Sequence, residues 1–188
     1  MQYEGISPDV ITFICMLKAC GSMGSVAMGE EVHVKVKNQQ LWKKDIVLGN
    51  ALVDMYAKCG MLRKAQEVFE GLPAPDAISW TALITGYAHQ GEGENACKCF
   101  GQMKVNGISP DVVTFTCILK ACGSAGALHE GKHIHDEIIQ KKLLGKNVVL
   151  GTALVDMYAK CGALTNAEVV FHDLSKRDTI SWNALITG

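Results

Sequence analysis

The chain has 188 residues, of which 48% are hydrophobic and 6% aromatic, and its 18 basic and 19 acidic side chains leave a net charge of −1. This hydrophobic content excludes a disordered chain, and the charge balance argues against strong long-range steering of a nucleic acid. No apolar run approaches the roughly 20 residues of a bilayer-spanning helix, so we expect no membrane partner. The opening segment MQYEGISPDV has the pattern of neither a secretory signal nor a transit peptide.

The sequence repeats itself with a period of 102 residues. At that offset 48 of the 86 overlapping positions are identical, including ALVDMYAKCG at 51–60 and 153–162. The period subdivides at similar segment starts, which predicts repeats at 10–45, 46–76, 77–111, 112–147 and 148–178, with 1–9 as the tail of a preceding repeat and 179–188 as the first helix of another. Repeats of about 30 to 40 residues are typical of solenoids.

Each segment carries two helical stripes of apolar residues. In 46–76, Leu52, Val53 and Tyr56 follow the spacing of one helix, Gly60 ends it, and a second stripe runs to Phe69. Asp9 and Asp111 each follow a proline and precede an apolar run, which predicts N-terminal caps. We therefore predict an all-α fold of antiparallel helix-turn-helix repeats, with eleven helices.

The segment AISWTALITGYAHQGEGENACKCFGQMKVNGISPD at 77–111 resembles a pentatricopeptide repeat of the plant organellar type. Its neighbours VVTFTCILKACGSAGALHEGKHIHDEII and VVLGTALVDMYAKCGALTNAEVVFHDL resemble the long and short variants that alternate with it in the PLS subclass. The resemblance covers essentially the whole chain. It implies a right-handed α-solenoid superhelix that binds single-stranded RNA at about one nucleotide per repeat.

By this resemblance the second residue of each repeat packs against the bases. The residues concerned are Ile11, Val47, Ile78, Val113, Val149 and Ile180. All six are β-branched aliphatics, whose stiff side chains suit a fixed apolar wall. Apolar residues at the start of a helix could equally be core residues, and the sequence leaves the two interpretations open.

The resemblance also implies that the fifth and last residues of each repeat hydrogen-bond the base edge. The pairs are Ile14 with Asp45, Asn50 with Asp76, Thr81 with Asp111, Thr116 with Asn147 and Thr152 with Asp178, followed by Asn183 alone. By the family's correspondence they select 5′-N-U-G-A-G-pyrimidine. Between the two 102-residue copies Asn50 is replaced by Thr152 and Thr81 by Asn183 inside matching blocks. Neutral drift or a surface role would also allow such polar exchanges.

Lys58 and Lys160 recur at the ends of two first helices and could reach RNA phosphates, although lysines there also complement the helix dipole. Only Arg63 and Arg177 are arginines, so bidentate phosphate contacts are scarce. We expect weak, salt-sensitive RNA binding by this chain alone.

The sequence contains half of a zinc-deaminase motif, His135-Asp136-Glu137, but no C-x-x-C segment to complete it. A packing or surface role for His135 is favoured, because it matches His33 in the other copy. The cysteines are interpreted as small hydrophobes buried between helices, with all eight thiols free. We expect no metal, no cofactor and no enzymatic activity.

The leading functional hypothesis is sequence-specific RNA binding, as the guide region of an organellar RNA editing or processing factor. A helical scaffold that binds a protein or peptide is the alternative. The resemblance implies a mitochondrial or chloroplast location and an accessory editing protein as a possible partner. Because 1–9 and 179–188 supply only parts of repeats, we also expect end-to-end self-association.

Overall fold

The structure is a computed structural model that describes residues 8–144, 147–174, 177 and 179–187. Within these residues the chain forms twelve α-helices and no β-strand. The helices are α1 (Val10–Met23), α2 (Val26–Asn38), α3 (Leu41–Lys44), α4 (Ile46–Lys58), α5 (Leu62–Glu70), α6 (Ala77–His89), α7 (Gly93–Val105), α8 (Val112–Ala125), α9 (Leu128–Gln140), α10 (Val148–Lys160), α11 (Leu164–Asp173) and α12 (Thr179–Thr187). None of these helices is long and apolar enough to cross a membrane.

Six helices begin at the first residues of the predicted repeat segments. These are α1, α4, α6, α8, α10 and α12, which we call the first helices. The predicted number of eleven helices was too low by one, because the sequence LWKK forms the additional short helix α3. The Trp42 side chain of α3 is buried and meets the His33 ring edge-on, with 6.4 Å between the ring centroids. This burial holds the single helical turn in place.

The chain divides into two compact units, with the division between Gly86 and Tyr87. In the first unit α1 packs against α2 and α4, and α4 packs against α5. Leu17, Leu48, Leu52 and Met55 are completely buried between these helices. Each leucine buried in this way stabilises the unit by roughly 1.5–3 kcal/mol relative to an exposed side chain.

The second unit repeats this arrangement. Here α8 packs against α7, α9 and α10, and α10 packs against α11 and α12. Ile118, Leu150, Leu154 and Met157 are completely buried. The identical ALVDMYAKCG blocks therefore form the centre of both units, in α4 and α10.

The helix ends follow from local sequence. Asp9 and Asp111 cap α1 and α8, as predicted, by accepting hydrogen bonds from the backbone N–H groups of Thr12 and Thr114 at 2.8 Å. Gly126 ends α8 in the left-handed conformation, with φ of 65°, which glycine adopts without steric cost. The chain then turns back into α9, so the two helices form an antiparallel pair.

A histidine–tyrosine hydrogen bond occurs in both units. His33 Nδ1 lies 2.9 Å from Tyr56 Oη and joins α2 to α4, while His135 Nδ1 and Tyr158 Oη join α9 to α10 at the same distance. Burial lowers the pKa of both histidines. The half-buried His135 therefore has the packing role that its match with His33 favoured.

Candidate nucleic-acid interface

The second residue of every first helix is exposed although it is aliphatic. The relative solvent accessibility of these side chains lies between 57% and 69%. The residues are Ile11, Val47, Ile78, Val113, Val149 and Ile180. We call these six residues the aliphatic row. They are not core residues, which removes the simpler of the two interpretations left open by the sequence. Their side chains are therefore available for contact with a ligand.

The fifth residue follows three positions later, on the same face of each first helix. Ile14, Thr81, Thr116 and Thr152 are half-buried, and Asn183 is exposed. Asn50 differs from all of them because it is buried, with 6% of its surface accessible.

The buried Asn50 belongs to a hydrogen-bond network that includes its predicted partner, Asp76. Asn50 Nδ2 donates to Asp76 Oδ1 at 3.0 Å, and Ser79 Oγ donates to Asn50 Oδ1 at 2.6 Å. Ser79 N also donates to Asp76 Oδ1 at 2.9 Å. The fifth and last residues of this repeat are thus brought together, and Ser79 is a third member that the sequence reasoning missed. Its signal was the Asp-x-x-Ser spacing of a helix N-terminus.

The network controls the ionisation of Asp76. Burial acts to raise the pKa of this carboxyl, but hydrogen bonds from Ser79 and Asn50 outweigh it and hold the pKa below the ordinary value of 3.8. Asp76 is therefore a carboxylate at neutral pH. Such a group can only accept hydrogen bonds.

Three further last residues in the described part of the chain also cap first helices. Asp45 accepts from the N–H groups of Val47 and Leu48 at 2.9 and 3.0 Å, and Asn147 accepts from Leu150 N at 3.2 Å. Asp111 is the cap of α8 described above. This capping role of Asp45 and Asn147 was missed, although Asp or Asn directly before a helical run is its usual signal. Asp178 lies outside the described residues.

A groove in the second unit gathers predicted site residues from three successive first helices. It has a volume of about 460 Å³ and lies across α8, α10 and α12. Its lining residues are Thr116, Thr152, Asn183, Val149, Ile180, Lys120, Val148, Ala153, Asp156 and Ala184. Three of them are fifth residues and two belong to the aliphatic row. We call this feature the three-helix groove.

Lys120 and Asp156 in this groove were not anticipated from the sequence. Each lies four residues after a fifth residue, Thr116 or Thr152, and this spacing places both on the same helix face. The matching positions of the first unit are Lys18 and Asp54. The sequence signal was therefore the repeated order Lys, Asp, Thr at this position of successive first helices.

The two lysines proposed for phosphate binding form ion pairs within their own helices. Lys58 Nζ lies 2.7 Å from Asp54 Oδ2, and Lys160 Nζ lies 2.8 Å from Asp156 Oδ2. Each aspartate offsets the charge of its lysine. Lys120 is exposed and lines the three-helix groove, so it brings a positive charge to that lining.

The residues of the zinc-deaminase half-motif, His135 and Glu137, make contacts with other side chains. His135 bonds Tyr158, and Glu137 pairs with Lys104 at 3.0 Å and Lys141 at 3.8 Å. Among the described residues no group of three or more His, Cys, Asp or Glu side chains is arranged to hold a metal ion.

The prediction that the cysteines are buried between helices is wrong for most of them. All eight are free thiols, but only Cys20 and Cys122 are fully buried, and Cys15 is exposed. Cys15 lies between the core residues Phe13 and Leu17 in sequence, so its side chain leaves α1 on the other face. The remaining five cysteines are half-buried.

The stacked helix pairs and the repeated first-helix surface define a helical-repeat protein. Residues 75–124 match the PPR repeat family, and residues 50–73 and 113–143 match the PPR repeat. The chain therefore contains pentatricopeptide repeats.

Named relatives in Arabidopsis thaliana agree with this assignment. The chain is 39% identical to the chloroplastic pentatricopeptide repeat-containing protein At4g18520 over 96% of its own length and 29% of that protein. It is 40% identical to the mitochondrial pentatricopeptide repeat-containing protein At3g09040 over 99% of its length and 18% of that protein. The chain thus spans less than a third of either relative.

Solved structures show the same fold. The pentatricopeptide repeat protein PPR10, in complex with an 18-nucleotide psaJ RNA element, superposes with a TM-score of 0.81 at 18% identity, over 100% of this chain and 28% of that one. PPR10 from maize superposes with a TM-score of 0.70 at 22% identity, over 99% of this chain and 27% of that one. The α-solenoid fold is therefore shown.

Proposed function

We propose that this chain binds single-stranded RNA through its first helices, at about one nucleotide per repeat. The three-helix groove is the observation that carries the proposal, because it combines polar groups at Thr116, Thr152 and Asn183 with apolar groups at Val149 and Ile180. Unstacked bases need both: an apolar surface for the ring and hydrogen-bonding groups for its edge. The similar fold of PPR10, whose solved complex contains RNA, supports the same assignment. The chain acts by binding, without a catalytic step.

We propose the base order 5′-N-U-G-A-G-pyrimidine for the bound RNA. Asn50 with Asp76 selects U, Thr81 with Asp111 selects G, and the long repeat with Thr116 selects A. Thr152 with Asp178 selects the second G, and Asn183 selects the pyrimidine. Ile14 selects no base, because its side chain has no hydrogen-bonding group.

Fluorescence anisotropy with short labelled RNAs tests this function. An RNA that contains U-G-A-G-pyrimidine should bind more tightly than a scrambled RNA of equal composition, and the affinity should fall as salt rises. Equal affinity for both RNAs would contradict the base order. Absence of binding to any RNA by the folded protein would contradict the RNA function itself.

We also propose that the chain is the guide region of an organellar RNA editing or processing factor. Two named relatives are chloroplastic and mitochondrial, which supports an organellar location. Sequencing of organellar transcripts from a plant that lacks the gene should reveal a processing or C-to-U editing defect next to a matching RNA segment. Unchanged transcripts in both organelles would contradict this role.

A second candidate function is binding of a protein or peptide, including an accessory editing protein. A cleft of about 370 Å³ in the first unit favours it. Trp42, Tyr56, His33 and Lys64 line this cleft, and none of them is a predicted base-reading residue. A partner that binds here should remain bound when the RNA surface is saturated. Competition between RNA and such a partner would exclude this cleft as its site.

Self-association is proposed through α12. Trp182 is 51% exposed and Ile186 is 75% exposed, whereas Trp80, which matches Trp182 in the other copy, is only 6% exposed. A second copy that covers this apolar face would produce dimers in sedimentation velocity. Trp182→Ser should abolish them, and a wild-type protein that stays monomeric at high concentration would contradict the proposal.

A further inference from the structure

Cys97 and Cys122 lie next to each other in the second unit. Their Sγ atoms are 3.8 Å apart, although 25 positions separate the residues in sequence. Cys97 belongs to α7 and Cys122 to α8, so the thiols meet between the second helix of one repeat and the first helix of the next. The repeat pattern explains Cys122, which matches Cys20, but it does not explain Cys97.

The two helices approach each other closely at this point. Gly93 lies one turn before Cys97, and a Cβ atom placed on it would be only 2.7 Å from Ala121 O and 2.6 Å from Ala125 Cβ. The small residues Gly93, Ala121 and Ala125 therefore bring the α7 and α8 backbones together around the thiols. Close backbones are what a disulfide requires, because its two Cα atoms are normally within about 7 Å.

Cys97 can be reached from outside. A cavity of about 200 Å³ is lined by Cys97, Gly101, Lys104, Glu130 and His133, among others. Cys97 is half-buried, whereas Cys122 is completely buried. A small oxidant can therefore reach Cys97 first, and Cys122 lies behind it.

We propose that Cys97 and Cys122 form a reversible disulfide, with Cys97 as the attacking thiol and Cys122 as the resolving thiol. The oxidant is a small-molecule disulfide such as oxidised glutathione. The Cys97 thiolate attacks one of its sulfur atoms, which breaks the glutathione S–S bond, forms a mixed disulfide and releases one glutathione thiolate.

Cys122 completes the exchange. Its thiolate attacks Cys97 Sγ, which forms the Cys97–Cys122 bond and releases the second glutathione. The two cysteine protons end on the two glutathione molecules, which are reduced as the protein dithiol is oxidised. The Cys97–Cys122 contact lowers the pKa of Cys97, although burial and the carboxylates of Glu130 and Glu94 oppose this shift. The same contact and burial raise the pKa of Cys122, so Cys97 is the first of the two thiols to ionise. A thiol with a lowered pKa suits the attacking role.

Other cysteine contacts in the structure have a different geometry. Cys161 Sγ lies 3.7 Å from the backbone oxygen of Cys122, and Cys59 Sγ lies 3.8 Å from that of Cys20. These thiols meet a backbone carbonyl oxygen, and each also lies 4.0 Å from a methionine sulfur, Met157 Sδ or Met55 Sδ. The Cys20–Cys59 contact matches Cys122–Cys161 and provides an internal control, since we expect neither pair to become linked.

The experiment uses the reduced wild-type protein, incubated under native conditions with oxidised glutathione, then alkylated and digested with trypsin. Cleavage after lysine separates the relevant cysteines into different peptides: Cys97 in 65–98, Cys99 in 99–104, Cys117 in 105–120 and Cys122 in 121–132. We expect free thiols to fall from eight to six and peptide 65–98 to be linked to peptide 121–132. Dithiothreitol should restore all eight.

Variants distinguish this pair from random oxidation. Cys97→Ser should abolish the linked peptide, whereas the adjacent Cys99→Ser should retain it. Persistence of eight free thiols, or a link through any other cysteine, would overturn the proposal. If Cys97→Ser fails to fold by circular dichroism, the wild-type peptide map decides alone. Neither outcome depends on whether the chain binds RNA.

Discussion

Asn50 and Thr152 occupy matching positions in α4 and α10, two helices of nearly identical sequence, yet their surroundings differ. Asn50 is buried and bonded to Asp76 and Ser79, whereas Thr152 is half-buried and lines the three-helix groove. The longer amide side chain reaches the last residue of its repeat and joins a network. The fifth position can thus hold either a buried amide in a hydrogen-bond network or a half-buried hydroxyl that lines a groove.

The first prediction concerns the free energy of unfolding, for which we expect the largest difference between matched changes in the two units. Asn50→Ala removes the amide that bonds Asp76 and Ser79, so it should lower the free energy of unfolding by about 1–2 kcal/mol. Thr152→Ala, the matched change in the second unit, should cost less than about 0.5 kcal/mol. Urea denaturation followed by circular dichroism measures both. Equal losses would show that the network does not distinguish the two positions.

The second prediction tests the aliphatic row at the three-helix groove. Val149→Asp places a negative charge where Val149 lines the groove, so RNA affinity should fall on the order of tenfold through lost apolar contact and phosphate repulsion. Val169→Asp is the matched control, because Val169 on α11 is also exposed but does not line the groove. Equal losses of affinity in the two variants would remove the groove from the RNA surface.

The third prediction compares the two ion pairs that follow the fifth residues. Asp156→Asn releases Lys160 beside the groove and removes a negative charge from it, so RNA affinity should rise about two- to fivefold. The slope of log K against log salt should steepen by about 0.7, as expected for one further phosphate contact to a single strand. Asp54→Asn makes the same change beside Lys58. Unchanged affinity in both variants would show that neither lysine contacts phosphate.

The fourth and smallest effect concerns pH. Burial lowers the pKa of His33 and His135. The nearby Lys37 and Lys64 lower the pKa of His33 further and Glu30 opposes them, whereas Asp136 and Asp173 oppose the shift of His135. Because the folded pKa lies below the unfolded value near 6.5, both histidines stabilise the fold above that pH, and this contribution is lost as the pH falls through the folded pKa.

Histidine NMR titration checks this prediction. The pKa of both His33 and His135 should lie below 6.5. Thermal stability should decrease as the pH falls from neutrality to about 5.5. A value above 6.5 for either histidine would contradict the burial described for the His–Tyr contacts.

Much of the fold could be predicted from the sequence because helical repeats leave a strong periodic signal. The matching ALVDMYAKCG blocks indicated two equivalent helices, and the starts of the first helices coincide with the predicted segment starts. The helix α3 could not be predicted in this way. It depends on the burial of Trp42 in tertiary contacts, and the other copy has Leu144 at that position.

The candidate site was predictable only in part. Spacing placed Val149 and Thr152 on one helix face, but exposure of the aliphatic row depends on how neighbouring helices pack, which periodicity does not contain. The network at Asn50 and the Cys97–Cys122 contact also join residues from different helices. Such contacts depend on distances between helices, so the structure was needed to find them.

The base preference of the Thr152→Asn variant at the fifth RNA position tests whether this chain recognises bases through its fifth residues. We expect the wild-type protein to prefer G there and the variant to prefer U, with the preferences at the other positions unchanged. Binding assays on RNAs that carry each of the four bases at this position measure both proteins. An identical preference in the two proteins would contradict base recognition by the fifth residue of the repeat.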